Sequence, residues 1–277
     1  MRIALCFPHR TNFHARFLDS LFKYKPDWVE VVERNPDVVM GLYGFTTEQP
    51  HWRFISPKVL FLERAEREII ETLSEKDIIF VYNPDLFNWI REVNPDANVF
   101  MERHPVDPDK FRLENRSSRL IDLLITGTYH DDGYSLRVYE AAGGPLAVVL
   151  GSIDYMPSDL VFCDYCHPNT GDDRRLVGYY NSAKMIISIH TEPAFELSYA
   201  EALFCGCRPL APDISSFRWV YGDLARYFRL EKVYEDIPEL IRDYEPVSDE
   251  EIEKAHELFA APRVWGRIWG RIKEVLG

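Results

Sequence analysis

The sequence predicts an α/β protein built from two Rossmann-like domains, each a parallel sheet covered by helices, and three observations carry that prediction. Short, nearly unbroken apolar runs alternate along the chain with amphipathic stretches, the rhythm of strands buried on both faces and joined by helical crossovers. The length of 277 residues exceeds one typical domain and suffices for two cores. Residues 185–211 spell a compact β-α-β unit: an Ile-rich run at 185–189, a helix starting near Glu196 or Leu197, Gly206 to end it in a left-handed turn, and a second run at 207–211.

Composition narrows the class. With 46% hydrophobic and 28% charged residues the chain is an ordinary globular protein, not a disordered one. No apolar run approaches the length of a membrane span and residues 1–30 lack a signal-peptide pattern, so a cytoplasmic location is expected. The net charge of −13 disfavours bulk binding to nucleic acid or anionic lipid. A local basic patch stays open, more easily in residues 1–116 (16 Lys/Arg against 19 Asp/Glu) than in 117–277 (16 against 26).

The five cysteines, an odd number, point to free thiols in a reducing compartment. Cys163-x-x-Cys166-His167 spells a haem-attachment string, but that chemistry needs export. Cys163, Cys166, Cys205 and Cys207 could offer four thiolates to zinc, yet the second pair has a single intervening residue where zinc sites use two to four. Core and loop thiols are the preferred reading.

The first domain opens with a strand at 2–7, a turn at 8–11 and a helix at 12–25 whose Phe13, Phe17, Leu21 and Phe22 fall mainly on one face. The turn lacks the glycine-rich phosphate loop of a dinucleotide fold, which argues against NAD or FAD. Further strands are expected at 37–43, 58–62 and 77–82, with a helix at 67–73. Asp107-Pro-Asp109 spells a D-x-D string, for which turn chemistry is preferred over manganese. The polar, aperiodic stretch 114–118 is the expected domain boundary.

The second domain begins with a strand at 120–126, followed by strands at 146–150 and 159–163 and a loop at 164–173. Within the central β-α-β unit the start of the helix opens at the C-terminal edge of the sheet, where open α/β sheets bind ligands. A phosphate fits there, and Glu201, one turn or about 6 Å further along, suits a pair of ribose hydroxyls. A loop is expected at 213–217, a surface helix at 250–259 and a closing helix at 264–276, whose W-G-R-I-W-G-R-I repeat places Gly266 and Gly270 four apart for close backbone packing.

The stretch 190–212, H-T-E-P-A-F-E-L-S-Y-A-E-A-L-F-C-G-C-R-P-L-A-P, resembles the nucleotide-sugar motif of GT-B glycosyltransferases, family 4 and its relatives, E-G-F-G-L-x-x-x-E-A-x-A-x-G-x-P-V. It matches at Phe195, Leu197, Glu201, Ala202, Gly206, Pro209 and conservatively Leu210. The motif's first Glu falls on Pro193, with Glu192 one position earlier, and its second Gly falls on Glu196. Residues 98–112 resemble the family's inter-domain passage at Val106, Asp107 and Phe111.

The resemblance implies a GT-B architecture, with two Rossmann-like domains whose parallel sheets face a central cleft. An acceptor domain spans 1–116 and a donor domain 117–261, and a helix at 262–277 returns to the first. It implies transfer of a sugar from a nucleotide-diphosphate donor to a hydroxyl acceptor: a saccharide, a lipid carrier, a protein or a modified DNA base. Retention of configuration is expected, with no metal or other cofactor. The implied catalytic carboxylates are Glu63, Glu192 and Glu196, although Glu63 suits a surface pair with Arg64 or Arg67 equally well. Donor contacts fall on Gly127, Thr128, Arg137, Tyr165, Lys184, Phe195, Leu197, Ser198 and Glu201. Thr128 and Asp132 stand where the family carries the two cations that grip the diphosphate. Acceptor contacts fall on His9, Arg10 and His14, for which plain solvation is the alternative. Two other readings share the fold: a domain that binds a nucleotide or sugar without transfer, and a nucleotide-sugar epimerase.

Overall fold

The computed structural model describes residues 1–6, 12–42, 57–62, 65–114, 119–126, 134–142, 147–151, 165–168, 173–188 and 195–277. It divides into two compact units, one of Met1–Pro105 with Phe259–Gly277, the other of Val106–Leu258. The second unit therefore starts at Val106 rather than at 117. Val106 and Phe111 are buried, Asn181 accepts the Glu114 N–H at 2.7 Å, and Arg119 donates to the carbonyls of Tyr180 at 3.1 Å and Cys205 at 2.6 Å. Glu114 and Arg119, on either side of the polar stretch, are thus both tied into this unit. At the other end, the segment grouped with the first unit begins at Phe259 rather than 262.

The first unit carries six parallel strands in the order β2-β1-β3-β4-β5-β6: β1 Arg2–Cys6, β2 Glu30–Val31, β3 Val38–Leu42, β4 Lys58–Leu62, β5 Ile78–Val81 and β6 Asn98–Met101. β4 and β5 are buried at every position, which is why their sequences run apolar without alternation. Helix α1 (Asn12–Tyr24) follows β1, and the short α2 (Arg67–Ile70) and α3 (Pro84–Val93) flank β5. α3 starts where chemistry dictates: Asn83 Oδ1 accepts the Asp85 N–H at 2.7 Å, and Pro84 occupies the first turn, where a missing N–H costs nothing.

The second unit also has six parallel strands, in the order β12-β11-β10-β7-β8-β9. They are β7 Ile121–Thr126, β8 Ala147–Gly151, β9 Tyr165–Pro168, β10 Ala183–Ser188, β11 Arg208–Pro212 and β12 Arg226–Phe228. Its helices are α4 Tyr134–Ala141, α5 Asp173–Ser182, α6 Leu197–Phe204, α7 Ser215–Tyr221, α8 Val233–Arg242 and α9 Asp249–Phe259. α6 is the inner helix, buried from Tyr199 to Phe204. It ends in paired bonds from Gly206 N–H to Leu203 O and Cys207 N–H to Ala202 O, both 2.9 Å, with Gly206 at φ +74°. This double closure requires the left-handed residue that only Gly adopts without strain. Arg208, 4% exposed, reaches from β11 to α9, donating to both Glu251 oxygens at 2.6 and 2.9 Å. Burial raises the Glu251 carboxyl, but the bonds from Arg208 and the Ser248 N–H outweigh it and hold it at about 2.

Two expected loops contain structure. The strand β9 lies inside 164–173, and α7 begins at Ser215 inside 213–217, while the expected strand at 159–163 lies outside the described residues.

The chain closes with α10 (Ala261–Leu276), packed on α1 within the first unit, where Trp265 Nε1 donates to Ser20 Oγ at 2.7 Å. Arg267 clasps both oxygens of the buried Glu102 at 2.9 and 2.8 Å. Gly266 and Gly270 do not pack: both are exposed, and an added Cβ would meet no atom within 4 Å at either. The tryptophans occupy the buried face of the helix, which turns the glycines outward.

Candidate ligand site at the switch point of the second sheet

In the second sheet β7 and β10 are neighbours although β8 and β9 separate them in sequence, so the connections leaving the two strands run in opposite directions. A crevice opens at such a reversal, at the C-terminal ends of the strands, and open α/β sheets bind ligands there. The two strands end in register at Thr126 and Ser188, and α6 starts beside them with Glu196 as its N-cap residue.

Among the described residues, four polar side chains meet here. Ser188 Oγ donates to Glu196 Oε2 and Ser198 Oγ to Glu196 Oε1, each at 2.7 Å, and Thr126 Oγ1 lies 3.4 Å from Ser198 Oγ. The main chain of Glu196 is held as firmly, its carbonyl accepting from Tyr221 Oη at 2.5 Å and Tyr199 N–H at 3.0 Å. Tyr199 Oη bridges β10 and β11, accepting from Ser188 N–H at 2.8 Å and donating to Leu210 O at 2.6 Å. Aromatic packing of Phe195, Tyr199 and Tyr221, with ring centroids 5.6 to 6.0 Å apart, backs the arrangement. Thr126 and Ser188 are buried, whereas Glu196, Leu197 and Ser198 are half-buried. The result is a fixed carboxylate beside hydroxyls and the N-terminal dipole end of α6, a combination able to bind hydroxyls and phosphate oxygens.

Of the donor residues expected from the sequence, the structure brings Phe195, Leu197 and Ser198 to this point, together with Glu196. Glu201 does not face open solvent: it is 1% exposed, and Tyr180 Oη donates to its Oε2 at 3.2 Å. α5 lies against this side of α6, and that cover is not visible in the motif itself. Lys184 is not near the crevice. It sits at the start of β10, about 13 Å from Ser188 at the strand rise of ~3.3 Å per residue, and pairs with Asp122 at 2.5 Å. Arg137 donates to Leu230 O at 3.4 Å, tied to the segment after β12. His9, Arg10, Glu63, Gly127, Thr128 and Glu192 lie outside the described residues, and for His14 in α1 and Tyr165 in β9 the main chain alone is described.

Sequence reasoning missed Thr126, Ser188, Tyr199 and Tyr221. The available signal was that each Ser or Thr lies at or near the end of an apolar run, but which two strands are neighbours is a property of the fold.

Cys205 and Cys207 are buried free thiols, with burial pushing both up, Cys207 to about 12, so neither is a ready nucleophile. Among the described residues no group of three His, Cys, Asp or Glu side chains is placed to share a metal ion, and no helix is long and apolar enough to cross a membrane.

No family model and no curated protein matches the sequence. Among solved structures the chain is similar to AviGT4, a glycosyltransferase involved in avilamycin A biosynthesis, at 14% identity and a TM-score of 0.61, covering 100% of this chain and 98% of that one. It is similar to WaaG, a glycosyltransferase involved in lipopolysaccharide biosynthesis, at 11% identity and a TM-score of 0.57, covering 99% and 98%. It is also similar to the sucrose-phosphate synthase of Thermosynechococcus elongatus, at 12% identity and a TM-score of 0.66, covering 97% and 80%. At these identities the likeness is one of fold, and the fold is GT-B: two Rossmann-like domains with parallel sheets.

Proposed function

We propose that the chain is a glycosyltransferase that takes a sugar from a nucleotide-diphosphate donor bound at the switch point of the second unit and passes it to a hydroxyl acceptor. The observation that carries the reading is the meeting of Thr126, Ser188, Glu196 and Ser198 with the start of α6, at the crevice where this class of sheet takes ligands.

The diphosphate lies at the N-terminal end of α6, where the N–H groups of the first helical turn supply donors to its oxygens. The half-buried Glu196 carboxylate, held by Ser188 and Ser198, stands beside that anion at the position of the motif's second Gly. The resemblance to family 4 gives Glu201 the ribose hydroxyls. With its carboxylate covered and Tyr180 bound, Glu201 meets a ribose only once that cover opens.

As the bond from the anomeric carbon to the phosphate oxygen breaks, charge grows on the leaving diphosphate. Donors already fixed around it favour that state over the ground state. The same resemblance extends the proposal to retention of configuration, with a leaving-phosphate oxygen taking the acceptor proton, and to a reaction without metal.

A thermal-shift panel of UDP-, GDP-, ADP- and dTDP-sugars tests the reading. At about 100 times its dissociation constant one class is expected to stabilise the protein by roughly 2.7 kcal/mol. No shift with any member at millimolar concentration overturns the donor site.

A further inference from the structure

We propose that Glu196 sets the charge selectivity of the switch-point site, standing as a fixed negative charge against the phosphates so that a nucleoside diphosphate is held less tightly than its sugar conjugate and is released after transfer. The inference rests on the donor reading above and deepens it.

Its basis is the anchoring of this one side chain. A carboxylate on a free rotamer would swing away from an incoming phosphate and exert little selectivity. Glu196 has no such freedom: Ser188 and Ser198 each donate to a different oxygen at 2.7 Å, and Tyr221 and Tyr199 hold its carbonyl at 2.5 and 3.0 Å. Two hydroxyls donating to the two oxygens suit the ionised, acceptor-only form. Its place in the chain is the N-cap of α6, so the charge stands within about one helical turn, ~6 Å, of any anion at the helix start. That residue is where the resembling motif has glycine, which brings no charge at all.

The helix end attracts both ligands alike through its dipole, but repulsion scales with ligand charge. A free nucleoside diphosphate carries about one negative charge more than the diphosphate sugar near neutral pH, because its terminal phosphate ionises a second time. Between the water and protein-surface limits of screening, one further charge at that distance changes affinity by roughly tenfold. Such a penalty on the product leaves the donor less affected and opposes product inhibition.

The test is a calorimetric titration of the nucleoside diphosphate and its sugar conjugate, for whichever base the thermal-shift panel selects, on the parent, Glu196→Gln and Glu196→Asp. The Gln variant keeps the size and loses the charge, and the ratio of the two affinities is expected to move about tenfold toward the free diphosphate. The Asp variant keeps the charge and is expected to hold the parent ratio within about threefold. A Gln ratio within twofold of the parent, or equal movement in Gln and Asp, overturns the charge role while leaving the donor reading in place. A parent that binds neither ligand overturns the donor reading, and this inference with it.

Discussion

Gly206→Ala is expected to destabilise the second unit by roughly 3 kcal/mol. Two costs add. At φ +74° an L residue gives up about 1–2 kcal/mol. The new Cβ would also stand 2.6 Å from Arg119 Nη2 and 3.2 Å from Leu113 Cδ1. An arginine tip usually moves aside cheaply, but this one is tethered, donating to Cys205 O at 2.6 Å, to Tyr180 O at 3.1 Å and to Ala183 O. Moving it breaks charge-assisted bonds worth ~1.5–3 kcal/mol each before any repair. Urea unfolding measures the loss, and a double-mutant cycle with Arg119→Met separates its parts. On the Met background the added methyl should cost only the backbone share, about 1–2 kcal/mol. A loss for Gly206→Ala no larger in the parent than on the Met background would show that the clasp gives way freely.

Asp77→Ala is expected to cost the first unit about 3–5 kcal/mol, the range for breaking a buried ion pair. Asp77 is 1% exposed and accepts four hydrogen bonds: Lys58 N–H at 3.0 Å, Lys58 Nζ at 3.2 Å, Ser74 N–H at 2.8 Å and Ser74 Oγ at 2.9 Å. One carboxylate thus pins the start of β4 to the turn that leads into β5. Its removal leaves a buried ammonium and strips two main-chain N–H groups of this acceptor. Adding Lys58→Met removes the ammonium and should recover part of the loss, with the N–H groups setting the remainder. Full recovery in the double variant would mean that the main-chain bonds contribute nothing, contrary to the geometry.

What the sequence shows and what it hides follow from the same physics. The inner strands β4, β5, β7 and β10 were legible because burial on both faces leaves an unbroken apolar run. β9, Tyr-Cys-His-Pro, reads as loop because its sequence lacks such a run, and among the described residues it is an edge strand beside β8. The start of α7 reads as loop because Ser215-Ser216 suits a turn as well as a first helical turn. Around the site, α6, its left-handed stop at Gly206 and the direction of its dipole were readable in one stretch of chain. The cover over Glu201 comes from Tyr180, 21 residues away, and the pairing of Thr126 with Ser188 depends on strand order. Neither is a local property. Lys184 is different: it precedes the apolar residues of its own strand, and a parallel strand leading into α6 puts its first residues at the edge away from that helix's start.

Whether the donor occupies the switch point of the second sheet is read out by hydrogen–deuterium exchange with and without a saturating donor from the thermal-shift panel. Slowed exchange is expected in the peptides covering Thr126, Ser188 and residues 195–201, where the start of α6 gains a ligand on its N–H groups, with β4 and β5 of the first unit unchanged. Slowed exchange confined to the first unit, or a bound donor that leaves the start of α6 exchanging as before, would contradict it.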